Sequence, residues 1–205
     1  MKTLVIIDVQ NDFIPGGALA VPGGDEIIDL INRLQIEFDL VTATQDWHPE
    51  EHSSFAMSHP GKGEFEKIEV QGYEQVLWPV HCVQNTVGAN FHPGLETSRI
   101  ETIFRKGTHL HIDSYSGFYD NAHQKSTGLA GYLKEKGTTE LYFCGLAAEY
   151  CVYYSLKDAL AEGFNAILIE DATRALDNTN FELAKRDILT RGGKIISSTG
   201  LFKRS

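Results

Sequence analysis

Cysteine is scarce in this chain. Three are present in 205 residues, Cys82, Cys144 and Cys151, an odd number with no framework spacing, which argues against a secreted disulfide scaffold. Long apolar runs are missing too: no stretch approaches the ~18 residues that a membrane span needs. The N-terminal run MKTLVIIDVQ breaks at Asp8, too early for a signal segment. The cytoplasm is therefore the expected location. Basic clusters are also absent. With 18 basic against 28 acidic residues, the formal net charge is −10, and a surface of that sign repels phosphate backbones, so nucleic acid is not an expected partner. There is no internal repeat and no low-complexity tract.

What is present is an alternation of two patterns. Short β-rich apolar runs lie at 3–9, 38–44, 100–104, 140–144, 166–169 and 194–197. Segments of helical periodicity lie between most of them, at 25–36, 127–136, 151–162 and 179–192, with Thr179 a candidate N-cap. Strands that alternate with helices pair in parallel through right-handed crossovers, and continuously apolar strands are covered on both faces. The expectation is one domain over residues 1–205, a three-layer α/β/α arrangement around a mainly parallel sheet of about six strands. Residues 53–99 depart from the pattern. They are long, weakly periodic and rich in His, Gly and Pro, as expected of an inserted metal- or substrate-binding region.

In an open parallel sheet, ligands sit beyond the carboxyl ends of the strands. Four strand ends deliver Asp8, the pair Asp46 and His48, Lys106 and Cys151 to one edge. DWHPEEH, residues 46–52, offers a carboxylate and two imidazoles, Asp46, His48 and His52, which suit Zn²⁺, Fe²⁺ or Mn²⁺. The same residues also read as a polar turn that opens a helix. His81 in WPVHC is one candidate for a further ligand among several, since His59, His92, His109, His111 and His123 also occur. Cys151 falls where a helix should start, and a helix N-terminus with Lys106 nearby favours the thiolate. The alternative is an inert buried thiol. Asp8 reads either as a structural partner of Lys106 or as a general base for the thiol.

These motifs together resemble those of the nicotinamidases, in the isochorismatase-like cysteine hydrolase superfamily. The carriers are DVQNDFIPGGAL, TQDWHPEEHSSF, QVLWPVHCVQNT followed by GANFHP, FRKGTH with DSYSGFYD, and GLAAEYCV, in that order over nearly the whole chain. The resemblance implies an isochorismatase-like hydrolase fold and a cysteine amidohydrolase that converts nicotinamide to nicotinate and ammonia through a thioester, in NAD salvage, with pyrazinamide as a further substrate. It implies a triad of Asp8, Lys106 and Cys151, and an oxyanion hole from the N–H groups of Ala147 and Cys151 beside a cis peptide at Leu146–Ala147. It implies one divalent metal ion, Zn, Fe or Mn, held by Asp46, His48, His52 and His81, and a ring site made by Phe13, Trp78, Leu146 and Tyr115. The partner it implies is a small molecule, with a homo-oligomer left open. Two motifs depart from the family pattern. Ala148 and Glu149 stand in GLAAEYC where relatives read TD, and Val80 stands in WPVHC where bacterial relatives often carry Asp. The second weakens the support expected for His81. Alternative readings are an amidase acting on carbamoyl or ureido compounds, which generally lacks the metal set, and a non-catalytic binder of nicotinamide or metal.

Overall fold

β1 (Lys2–Ile7) lies at the centre of the molecule, and five of its six residues are buried because Leu4 and Ile6 face one layer while Val5 and Ile7 face the other. The computed structural model describes residues 1–70 and 72–202. The other strands of the main sheet are β2 (Leu40–Asp46), β5 (Thr102–Lys106), β6 (Glu140–Gly145), β7 (Asn165–Thr173) and β8 (Lys194–Ile196). Their order is β5-β2-β1-β6-β7-β8, and every neighbouring pair is parallel. The helices are α1 (Ile28–Leu34), α2 (Leu129–Glu135), α3 (Tyr153–Ala161) and α4 (Asn178–Thr190).

The two layers follow from the direction of travel. From β1 the chain moves outward to β2 and β5, and α1 packs with Ile28, Ile31 and Leu34 on the face shared with Leu4 and Ile6. It then jumps over β2 and β1 to β6 and moves the other way. Right-handed crossovers therefore place α2, α3 and α4 on the opposite face, where Leu133, Leu156 and Ile188 join Val5 and Ile7. The reversal puts a topological switch point between β1 and β6, where such sheets open a crevice.

Several boundaries differ from the sequence-based expectation. β2 and β5 run on to Asp46 and Lys106, so both polar residues end their strands as paired neighbours in register. β7 continues to Thr173, past a register irregularity between Phe143 and Gly145. Residues 53–99 contain an antiparallel hairpin, β3 (Lys67–Val70) with β4 (Tyr73–Val76), that the weak periodicity did not announce. The segment then folds back on the sheet edge, with bridges from Phe55 to Trp78 and from His48 to Val83. The cap of α4 is Asp177, not Thr179: its carboxylate accepts from the N–H groups of Thr179 and Asn180, because an acceptor must precede the first turn to reach those donors. Among the described residues no helix is long and apolar enough to cross a membrane.

The capping assignment is testable. Asp177→Ala should lower stability by about 1 kcal/mol, whereas Thr179→Ala should change it by only a few tenths, as read from chemical denaturation of the two variants. Equal losses would return the cap to Thr179.

Candidate active site and metal centre

The chain turns sharply where it leaves β1, with Asp8 at φ 47°, a left-handed conformation that Asp tolerates better than branched residues. Asp8 is fully buried. Its Oδ1 accepts from Thr44 Oγ1 at 2.7 Å, and its Oδ2 lies 2.9 Å from Lys106 Nζ. The Lys106 ammonium also sits 3.1 Å from Asp46 Oδ1, donates to the Ser114 carbonyl at 3.0 Å and donates to Cys151 Sγ at 3.3 Å. Three N–H bonds thus face four acceptors. The two carboxylate contacts are close ion pairs without aligned hydrogen-bond geometry.

Burial and charge set the protonation states. Burial pushes the Asp8 carboxyl up, and Lys106 opposes it. Burial favours neutral Lys106, but Asp46 and then Asp8 outweigh it and hold the ammonium well above its ordinary value. Burial also pushes the Cys151 thiol well up, against the pull of Lys106, and Asp8 and Asp46 add to the push. The expected thiolate bias at a helix start is therefore overridden. Cys151 lies within a π-helical turn, Ala148–Val152, ahead of α3, and it is buried among carboxylates. The balance favours the thiol over the thiolate. Cys144 is buried in the sheet core, where burial alone raises its thiol, and Cys82 is fully buried as well.

Next to Lys106, single ligand atoms of Asp46, His48 and His81 lie within 4.8 Å of one another. His48 Nε2 is 3.1 Å and His81 Nε2 is 3.5 Å from Asp46 Oδ2. The opposite ring nitrogens are tied outward: His48 Nδ1 to the Gly107 carbonyl at 3.0 Å, His81 Nδ1 to the Pro79 carbonyl at 2.8 Å, and His52 Nδ1 to Ser54 Oγ at 2.7 Å. For His48 and His81 this is how metal-binding imidazoles are oriented, with one nitrogen fixed by an outer acceptor and the other presented inward, whereas His52 Nδ1 also accepts from the Ser54 N–H at 3.3 Å. His52 Nε2 is buried and has no hydrogen-bond partner among the described residues. The donor set and this orphaned nitrogen fit a divalent cation.

The four residues expected as one set fall into two trios that share His48. His52 joins a second trio with His48 and Asp113, and it does not share the 4.8 Å cluster of Asp46 and His81. The short His48-to-His52 spacing turns the two rings toward each other, with centroids 4.3 Å apart. Val80 lines a separate surface depression with Glu50 and Met57. The residue at 80 therefore does not support His81; the Pro79 carbonyl does. Gly107, at φ +64°, admits no side chain, because a Cβ there would stand 2.4 Å from His48 Cε1.

Both clusters open on one pocket. Cys151, Asp46 and His81 lie on its wall, together with Phe13, Trp78 and Tyr115. Tyr115 is held by donors from Trp78 Nε1 at 3.3 Å and Gln75 Nε2 at 3.2 Å. Leu146, expected at the ring site, is instead fully buried in the hydrophobic core, where its side chain packs toward Gly24. The cis peptide at Leu146–Ala147 is present. Among the described residues, the Ala147 N–H finds no backbone acceptor. Sequence reasoning missed Asp113, Leu19, Tyr150 and Leu176, which also line the pocket. Asp113 and Tyr150 stand inside the motifs DSYSGFYD and GLAAEYC, so the signal was present but unassigned. Leu176 has no such signal.

A model of the isochorismatase domain matches residues 2–200. The chain belongs to the isochorismatase family. A nicotinamidase from Acinetobacter baylyi is 47% identical over 200 residues, covering 97% of this chain and 94% of that protein. A solved nicotinamidase/pyrazinamidase from Acinetobacter baumannii superposes with a TM-score of 0.96 at 48% identity, covering 98% of each chain. A pyrazinamidase from Pyrococcus horikoshii, solved in complex with zinc, superposes with a TM-score of 0.79 at 38% identity, covering 96% of this chain and 98% of that one. The parallel sheet and its flanking helices are the isochorismatase-like hydrolase fold.

Gly107→Ala should displace the His48 ring. The variant should retain less divalent metal after dialysis than the parent, by at least about tenfold in affinity, as measured by elemental analysis and chelator competition, with circular dichroism confirming the fold. Unchanged metal content would show that His48 is not held where the geometry puts it.

Proposed function

We propose that the protein is a metal-containing cysteine amidohydrolase that converts nicotinamide to nicotinate and ammonia, with pyrazinamide as a second substrate, as a step of NAD salvage. One observation carries the reading. A single pocket presents Cys151, hydrogen-bonded to Lys106 beside Asp8, and the Asp46–His81 edge of a candidate metal centre. The nicotinamidase relatives support the substrate, and the zinc of the Pyrococcus protein supports zinc as the ion, with iron or manganese as further options for the same donor set.

Asp46, His48 and His81 would hold the ion, with His52 and Asp113 alongside. When bound, the ion supplies a Lewis-acidic anchor that orients a pyridine ring and its carboxamide. The remaining work belongs to side chains. Phe13 and Trp78 wall the ring, and Tyr115 packs against Trp78 with centroids 6.1 Å apart. Asp8 takes the thiol proton of Cys151, and the sulfur adds to the amide carbon. The N–H groups of Ala147 and Cys151 stabilise the oxyanion; removing one such donor typically costs about 3 kcal/mol. Asp8 returns the proton to the departing nitrogen, the C–N bond breaks, and ammonia leaves a thioester. Asp8 then takes a proton from water, whose oxygen adds to the same carbon. The C–S bond breaks, and the proton goes back to the sulfur as nicotinate is released. Lys106 keeps Asp8 and the transient thiolate charged at low cost, since its ammonium contacts both groups.

Purified protein should release ammonia from nicotinamide. Cys151→Ala should lower the rate by about 10³-fold or more, whereas chelation followed by reloading with a different divalent ion should cost less, because the ion orients and does not attack. Ammonia from a ureido compound but none from nicotinamide would favour the carbamoyl amidase. No ammonia from either, with nicotinamide still bound, would mean a binding protein.

A further inference from the structure

Glu149 is a buried carboxylate beside the nucleophile that no step above uses. It is 6% exposed. Its Oε1 accepts from the Asp177 N–H at 2.7 Å, and its Oε2 has no partner among the described residues. One residue earlier, the Ala148 N–H donates to the Arg174 carbonyl at 2.8 Å. Two hydrogen bonds therefore bracket the segment 174–177 against the turn that carries Cys151. Between them lies Leu176, which faces the same pocket as Cys151 and Ala147. Asp177 in turn caps α4. As mere filler, a buried carboxyl with an unmatched oxygen is a poor choice, since burying an unpaired polar group costs more than burying an apolar one. Its hydrogen bonding to the main chain of the 174–177 segment is the feature that an apolar side chain lacks.

We propose that Glu149 is a positioning residue: through the Asp177 N–H it locks the Leu176 wall to the Cys151 turn and so sets the distance between the bound ring and the sulfur. It touches neither the substrate nor the reacting atoms. The contact depends on length. Aspartate is one methylene shorter, about 1.5 Å, enough to carry a 2.7 Å hydrogen bond beyond bonding range. Glutamine keeps both the length and an acceptor oxygen.

The kinetic part of the test rests on the proposed amidohydrolase activity; the alkylation part does not. The full-length, metal-loaded parent is compared with E149Q, E149D and E149A for kcat and KM on nicotinamide, for the rate of Cys151 alkylation by iodoacetamide, and for thermal melting. E149Q should keep both rates within about twofold of the parent. E149D and E149A should lose on the order of ten- to a hundredfold in kcat, with a smaller change in KM and an altered alkylation rate. Parental kcat and alkylation in E149A or E149D, even with a lowered melting temperature, would overturn the proposal, as would an E149Q as impaired as E149D. If E149A does not fold, the E149Q and E149D pair decides the matter alone. A parent that releases no ammonia would end the nicotinamidase reading, and the alkylation rates would still decide the role of Glu149.

Discussion

The Lys106 ammonium, sealed from water between Asp8 and Asp46, is the constraint on which the rest of the site depends. Two carboxylates and one ammonium leave a surplus negative charge in a region where charge is poorly solvated. The neighbouring groups register that surplus. Burial lowers the affinity of His48 for a proton, yet Asp46 overrides it and raises the imidazole above its ordinary value. The Cys151 thiol is held neutral by burial and by the same two carboxylates. A divalent cation among Asp46, His48 and His81 would more than offset the surplus. The candidate metal centre and Cys151 are thus coupled through one carboxylate, Asp46, whose two oxygens face Lys106 on one side and the imidazoles on the other.

The fold supplies this constraint through register. Parallel pairing sets Asp46 beside Lys106 at the ends of β2 and β5, and β1 next to β2 brings Asp8 within reach of Thr44 and Lys106. The reversal of strand order opens the crevice between β1 and β6, and the turn after β6 carries Cys151 into it. Gln10 then ties the pieces together. Its side-chain amide accepts from the Asp46 N–H and donates to the Asp46 carbonyl, each at 2.8 Å, and its own N–H donates to the Asp8 carbonyl. One buried amide two residues beyond the candidate base clamps the backbone of a candidate metal ligand.

The strand-end rule made much of this legible. Asp8, Asp46, Lys106 and Cys151 each follow or end an apolar run, and a parallel sheet sends such residues to one edge whatever the strand order. The strand order itself was hidden, because the jump from β5 to β6 over two strands leaves no trace in local periodicity. The β3–β4 hairpin was hidden for a related reason: its strands are four residues each and only partly buried, so alternation is weak. Leu146 was misplaced because a residue next to the nucleophile turn can point either way. Here the turn sends it into the core and leaves the pocket to Tyr150 and Leu176. Leu176 reaches the pocket from the loop after β7, and nothing in its own neighbourhood marks it.

The division of the histidines shows what spacing can and cannot decide. His48 and His52 are four residues apart, and His81 is far along the chain, yet His81 shares the Asp46 cluster while His52 turns to Asp113. Each ring is aimed by what holds its Nδ1, and for His48 and His81 that is a main-chain carbonyl, of Gly107 and Pro79. A carbonyl is present whatever side chain the sequence carries, so the change to Val80 leaves the aim of His81 intact. Gly107 matters for the opposite reason. Its carbonyl holds His48, and the space where its side chain would stand is filled by that ring. Main-chain geometry therefore aims His48 and His81, whereas His52 is held by Ser54, whose N–H donates to His52 Nδ1 and whose hydroxyl meets the same nitrogen at 2.7 Å.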